Sequence, residues 1–281
     1  MTPTQVMGIL NVTPDSFSDG GEHLDHDAAV AHGRALADEG AQIIDIGGES
    51  TRPGIVRTEA DEELRRVLPV VRELADLGVP LSVDTMRAEV ARATIEAGAS
   101  IINDVSGGLA DPKMLAVAAD LAVPYVVMHW RSHSDTMNER AHYGDIVEEV
   151  RAELSARVDA ALAAGVSEQN IIVDPGLGFA KSSAHNWVLL RSLDTFERWG
   201  FRMLIGASRK RFLGQLLATV DADGTRHPRP PKERDHASAA LTTLVATPGL
   251  LTAEGVWAVR THSVSEHRDA IAVATALAPR S

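Results

Sequence analysis

Seven short polar segments hold most of the residues in this chain that could do chemistry: 11-NVTPDSFSDGG-21, 45-DIGGESTRPG-54, 82-SVDT-85, 102-INDVSGG-108, 174-DPGLGFAK-181, 206-GASRKRFLG-214 and 260-RTH-262. Asp84, Asn103 and Asp174 each follow an apolar run directly. Two carboxylates and an amide suit a ring edge rich in N–H donors, because ionised carboxylates only accept hydrogen bonds. The same carboxylates would also suit a catalytic metal, and any one of them alone would pass as a helix N-cap, as in Asp84-Thr85 ahead of Met86. Arg260 and His262 are two residues apart, so on a strand they share one face and reach one anion while Thr261 points away. Lys210 can donate to a ring carbonyl or lie over a ring, whereas Arg209 and Arg211 also read as a solvated helix face, the reading preferred for Arg211. Asn11 and the hydroxyls and carboxylates after it offer hard oxygens to a metal-bound phosphate, or else form an ordinary Asx turn. Thr51 and Arg52 lie on a glycine-bounded loop that lacks the Gly-Lys-Ser/Thr of a Walker A motif.

These segments need a scaffold that brings many strand ends together. Apolar strand candidates fall at residues 6–10, 43–46, 81–83, 101–102, 125–128, 171–173, 203–205 and 256–259. They are rich in β-branched residues and nearly continuous, as strands buried on both faces must be. Amphipathic stretches separate them. Over 58–77 the stripe is Leu64, Val67, Leu68, Val71 and Leu74, with Thr58 and Asp61 as a capping pair and a kink expected at Pro69. Over 145–164 it is Val147, Val150, Leu154, Val158 and Leu162, with Asp145 at the start. Eight strand–helix repeats predict one (β/α)8 barrel, a TIM barrel, over residues 1–281, with extended loops after strands 1 and 2. A doubly wound open sheet would instead gather ligand groups near one switch point. The stretch 221–234 reads as a solvent loop.

Composition sets outer limits. The 281 residues are 44% hydrophobic and 23% charged, near the globular average. No cysteine is present, which excludes disulfides, thiolate metal sites and a cysteine nucleophile. A net charge of −12 disfavours non-specific nucleic-acid binding. Yet Arg52, Lys181, Arg209, Lys210, Arg211, Arg260 and His262 all fall in the polar segments, which points to an anionic small ligand. No apolar window is long enough to span a membrane and no signal peptide is visible, so a cytoplasmic protein is expected. His23, His26, His32, His133, His142, His227, His236 and His267 form no metal-spaced set and read as surface or loop residues.

Taken together and in order, the seven segments resemble dihydropteroate synthase, the sulfonamide target of folate biosynthesis; NVTPDSFSDGG, ESTRPG, DPGLGFAK and GASRK carry most of the specificity. The resemblance spans Asn11 to His262. It implies a homodimeric barrel transferase that joins 4-aminobenzoate to (7,8-dihydropterin-6-yl)methyl diphosphate with Mg²⁺, releasing pyrophosphate by an SN1-like route. It implies that Asp84, Asn103, Asp174, Lys210 and Arg260 bind the pterin, and that Thr51, Arg260 and His262 hold the diphosphate. Thr51, Arg52, Pro53, Phe179, Ser208 and Lys210 would surround the aminobenzoate, Asn11 would bind Mg²⁺, and Asp84, Lys210 and Arg52 would be catalytic. The family's common RVHDV reads RTHSV here, with Ser263 in place of Asp, and MHWRS after the fifth strand departs from the common MHMQG. A methyltetrahydrofolate:corrinoid methyltransferase would share the pterin residues but has no use for ESTRPG or SRK. A non-catalytic pterin-binding relative should have lost loop or anion residues.

Overall fold

The structure, a computed structural model, describes residues 3–13, 21–49, 58–132 and 140–278. Eight parallel strands close into a barrel: β1 (Gln5–Asn11), β2 (Ile43–Gly47), β3 (Leu81–Asp84), β4 (Ile101–Asp104), β5 (Tyr125–Met128), β6 (Ile171–Asp174), β7 (Arg202–Ile205) and β10 (Ala258–Thr261). β1 closes the ring by pairing with both β2 and β10. Around it run α1 (Gly21–Asp38), α2 (Ala60–Leu74), α3 (Ala88–Glu96), α4 (Met114–Leu121), α5 (Ile146–Ala163), α6 (Ser183–Arg191), α7 (Leu193–Glu197), α8 (Arg211–Leu216), α9 (Asp235–Ala246) and α10 (Val264–Leu277). The predicted barrel is therefore the observed one, and the open-sheet alternative falls.

Alternation along each strand divides its side chains between two cores. Outward residues such as Val6, Ile44, Val83, Ile102, Val173 and Ile205 pack under the helices. Inward residues Met7, Ile43, Ile101, Val126, Ile172, Leu204 and Ala258 fill the barrel floor. One step further along the same inward face come polar residues, which is how an apolar plug ends in a polar mouth.

Several boundaries differ from the sequence expectation. β3, β4 and β6 run one or two residues further, so Asp84, Asn103 and Asp174 are the last inward positions of the ladder and do not follow it. The eighth barrel strand starts two residues later than expected, and the Val256 N–H is bonded to Val245 O of α9 at 3.2 Å and not to a neighbouring strand. Arg260 thus lies within β10, and His262 just beyond it. α2 runs through Pro69 without a break. Its N-cap is Glu59, without a side-chain cap bond, and the Thr58 carbonyl is taken by Arg87. Its buried face is Glu63, Val67, Val70, Val71 and Leu74, so Leu64 and Leu68 lie at the margin. Asp145 does cap α5, accepting from Val147 N and Glu148 N, but Ala161 is buried where Leu162 was expected. The stretch 221–234 is not only loop. It carries the far side of a small hairpin, β8 (Thr219–Val220) with β9 (Arg226–His227), and a helical turn at Pro231–Arg234. His267 is no surface residue: it is buried between α9 and α10, within 2.8 Å of Thr242 Oγ1.

Asp104 shows how one outward residue shapes a loop. It sits beside inward Asn103 and is fully buried. Ser106 N and Oγ, Gly108 N and the Tyr125 hydroxyl all donate to it, at 2.7–2.8 Å. The polar segment 102–108 therefore has two jobs on two faces. Tyr125→Phe removes one of these donors without touching the barrel interior. It should lower the unfolding free energy by about 1.5–3 kcal/mol, the range for a hydrogen bond to a charged group, as read by urea denaturation. An unchanged midpoint would show that Asp104 does not need this donor.

Candidate active site

At the mouth, charge is concentrated on Arg260. Its Nε donates to Asp45 Oδ2 at 2.5 Å and its Nη2 to Asp84 Oδ2 at 2.7 Å. Asn103 Nδ2 reaches the same Asp45 oxygen at 3.0 Å. Inward residues from four strands are thereby joined in one network: Asp45 and Asp84 on the Arg260 guanidinium, and Asn103 through Asp45. Burial works against the charge of Arg260, but Asp45 and Asp84 more than offset it and hold the guanidinium firmly protonated. Burial raises the Asp84 carboxyl above the ordinary carboxylate range; Arg260 opposes this and the neighbouring Asp45 adds to it. The helix-capping alternative for Asp84 fails, because α3 begins at Ala88 and Asp84 faces Arg260.

Asp174 and Lys210 form the opposite side. Asp174 Oδ1 accepts from Gly176 N at 2.7 Å. Its carboxyl is raised by burial, against the pull of Lys210 and the Gly176 amide. Burial lowers the Lys210 ammonium to about 8, although Asp174 works to raise it. Lys210 donates to Leu177 O and lies 4.7 Å from the Phe179 ring centroid. Phe179 packs with Met86, Val105, Met128 and Trp130, so one wall of the mouth is apolar. Ser208 joins the two halves of the anion side: its Oγ lies 3.0 Å from His262 Nδ1 and accepts from His262 N at 3.2 Å.

The Ser208–Lys210 segment owes its layout to one backbone angle. Arg209 has φ 59, in the left-handed region that side chains other than glycine avoid. That turn sends Lys210 inward and Arg209 outward, where it makes two 2.7 Å bonds to Asp235. Arg209 is thus neither an anion ligand nor a solvated residue. Arg211 is exposed, as expected. Thr261 is buried on the outer face, and its Oγ1 accepts from Ser263 N at 3.2 Å. Ser263 makes no side-chain cap bond to α10, and its buried Oγ has no partner among the described residues. Asn11 ends β1 on the inward face. Thr51, Arg52 and Pro53, and most of the loop after Asn11, lie outside the described residues.

Sequence reading missed three groups. Asp45 is wholly buried, and its Oδ1 has no hydrogen-bond partner among the described residues. The available signal was a lone carboxylate in an inward position between Ile44 and Ile46. Arg87 pairs with Glu49 at 3.2 Å and with buried Glu63, and also donates to Thr58 O. Lys181, expected to face an anion, instead donates to Gly176 O and Phe179 O at 2.9 and 3.0 Å and meets His129 Nδ1 at 2.8 Å.

This arrangement has known counterparts. The family model of pterin binding enzymes matches residues 7–262. A dihydropteroate synthase of Mycobacterium leprae is 52% identical over 274 residues, covering 97% of this chain and 93% of that protein. A solved Xanthomonas albilineans dihydropteroate synthase with 4-aminobenzoic acid superposes with a TM-score of 0.85 at 44% identity, covering 98% of this chain and 93% of that one. That of Yersinia pestis, in a sulfonamide drug complex, gives a TM-score of 0.85 at 38% identity, covering 98% and 94%. With a family model spanning the barrel and so similar a relative along nearly its whole length, the chain belongs to the dihydropteroate synthase family of pterin binding enzymes.

Proposed function

We propose that this barrel mouth joins 4-aminobenzoate to (7,8-dihydropterin-6-yl)methyl diphosphate, giving 7,8-dihydropteroate and pyrophosphate, with the whole chain acting as one unit. The observation that carries this reading is the inward-facing polar ring of Asp84, Asn103, Asp174, Lys210 and Arg260 above an apolar plug. Asp174 and Asn103 would take the N–H edge of the pterin and Lys210 its ring carbonyl, with Arg260 flanking the ring. Arg260 and His262, with Thr51, would hold the diphosphate. Thr51, Arg52, Pro53, Phe179, Ser208 and Lys210 would enclose the aminobenzoate. The sulfonamide bound by the Yersinia pestis relative would compete at that subsite.

In the reaction the methylene C–O bond breaks, pyrophosphate leaves with the bonding pair, and the aniline nitrogen bonds to the methylene carbon and loses a proton to solvent. The barrier is one of charge. Arg260 and His262 stabilise the departing anion, and the Asp84 carboxylate stabilises the cationic methylene. The Phe179 wall keeps water from capturing that cation. Mg²⁺ fits the donor set present: it binds through few protein oxygens plus phosphate and water, and Asn11 offers one hard amide oxygen at the end of β1. When bound it would neutralise charge on the diphosphate. No group of three His, Asp or Glu that could cage a metal occurs among the described residues.

We further infer a homodimer. Leu244 of α9 and Val273 and Leu277 of α10 are large apolar side chains left exposed on adjacent helices. No described helix is long and apolar enough to cross a membrane, and a chain without cysteine suits the reducing cytoplasm.

The direct test is pteroate formation from the two substrates by the purified protein; no product would overturn the reading. Asp174→Asn sets a donor against donors, so calorimetry with a pterin analogue should show a loss of about 2–5 kcal/mol. Near-wild-type affinity would remove Asp174 from the pocket. Acidity gives a further check. The Lys210 ammonium titrates below its ordinary range, so its charge is present below about 8 and lost as pH rises through that value. The Asp174 carboxyl titrates above its ordinary range, so its acceptor form is lost as pH falls. Affinity for the pterin analogue should therefore fall on both sides of a maximum, and Lys210→Arg should move the alkaline limb upward. An alkaline limb that persists unchanged in Lys210→Arg would assign it to the ligand.

A further inference from the structure

The seven-residue turn after β6 holds three residues at positive φ: Gly176 at 69, Gly178 at 79 and Ala180 at 47. Glycine adopts this region freely, but alanine does so at a cost, and such a turn persists only when its surroundings over-determine it. A Cβ at Gly176 would run into the His129 carbonyl, so the turn also presses against the chain that follows β5. Lys210 Nζ takes Leu177 O, and three further side-chain contacts to carbonyls hold the turn in place. Lys181 Nζ takes Gly176 O at 2.9 Å and Phe179 O at 3.0 Å, and the Tyr143 hydroxyl takes Ala180 O at 3.0 Å.

Both clamps run back to the MHWRS segment through His129 and Arg131, which the proposed reaction itself does not use. The third proton of Lys181 faces His129 Nδ1 at 2.8 Å, and His129 Nε2 lies 3.0 Å from Glu153 Oε2. While Lys181 is an ammonium it can only donate, so Nδ1 accepts and Nε2–H gives to Glu153 in a neutral tautomer; burial and the neighbouring Lys210 lower that ammonium well below its ordinary range. Burial, helped by Lys181, lowers His129 to about 4 and so agrees with that neutral form. Arg131, two residues on, donates through Nε to the same Glu153 oxygen at 2.9 Å and through Nη1 to His142 O at 2.7 Å. Its guanidinium lies 3.7 Å from the Tyr143 ring centroid. The departure from the common MHMQG pattern thus places an arginine where it braces Tyr143 against the turn.

We propose that Lys181, seated on His129, is a positioning residue for the aminobenzoate side of the site: it fixes the turn that presents Phe179, and Arg131 braces the same turn through Tyr143. The proposal rests on the assignment of Phe179 to aminobenzoate made above. The Asp174 backbone is held separately, its carbonyl accepting from His129 N at 2.9 Å within the β5–β6 pairing, while its carboxylate keeps one tie to the turn through Gly176 N at 2.7 Å. Loss of Lys181 should therefore loosen Phe179 far more than Asp174.

Steady-state kinetics with both substrates varied, on Phe179→Ala, Lys181→Met, Tyr143→Phe and Lys181→Met with His129→Leu, tests this. Lys181→Met should raise the KM for aminobenzoate about tenfold and the KM for the pterin diphosphate less than about threefold. The double variant should be no worse than Lys181→Met, because the two residues act as one unit. Tyr143→Phe should raise the aminobenzoate KM about threefold, and it carries the test if Lys181→Met does not fold. An aminobenzoate KM within about twofold of wild type in Lys181→Met, equal rises in both KM values, or additive effects in the double variant would overturn the proposal. If instead Phe179→Ala leaves the aminobenzoate KM unchanged, the subsite assignment fails. A rise in Phe179→Ala without one in Lys181→Met sinks the positioning role alone.

Discussion

The arginine at the centre of the mouth, Arg260, sets the terms for the rest of the site. Its guanidinium bridges Asp45 and Asp84, and Asp45 also takes Asn103, so residues from β2, β3, β4 and β10 are fixed relative to one another by three hydrogen bonds. Desolvating such a group costs several kcal/mol per ion, and apolar side chains of similar volume would often serve stability as well or better. Stability therefore does not explain the pair of carboxylates. Pre-organisation does: a polar surface already pointed at the ligand need not reorganise when the pterin arrives or when pyrophosphate leaves. The residual imbalance falls on Asp84. Its raised carboxyl marks a group that gains when a cationic or N–H-rich partner is brought against it.

The barrel was legible because its strands are β-branched runs separated by helical stripes, and every expected strand is present. Asp84, Asn103, Asp174, Arg260 and His262 were legible for a related reason. Each terminates or follows such a run, and alternation then sends it inward. Asp45 was hidden by the same logic: with Ile44 before it and Ile46 after it, it reads as a flaw in a run, not as the last inward position below Gly47. The roles of Arg87 and Lys181 depend on partners 24 and 52 residues away, a distance no local pattern encodes. Arg209 depends on a single φ angle, and the side-chain types in SRK do not reveal which of its two cations turns outward. His267 misled because a histidine on an amphipathic helix looks solvated until α9 is seen to supply Thr242.

Three loops carry the residues assigned to aminobenzoate, and the described stems of two of them, after β2 and β6, are tied down by buried charge. On one side Arg66 donates to Gly48 O, while Arg87 joins Glu49 to Glu63 and reaches Thr58 O, so the two ends of the segment between Glu49 and Thr58 are held by one helix face and one guanidinium. This is why α2 buries Glu63 at a position where its stripe calls for an apolar residue: Thr85 and Arg87 are its partners, and Thr85 follows Asp84 directly. On the other side Lys181 and Tyr143 hold the turn after β6. The clamps lie behind the mouth and leave its inner face to Asp84, Asn103, Asp174 and Lys210. A barrel whose strand ends must stay polar and open cannot anchor its loops with apolar packing alone. Here the anchoring falls to ion pairs and carbonyl contacts one layer out, where their desolvation is met by full hydrogen bonding. Precision at the subsite then depends on residues that never touch the ligand.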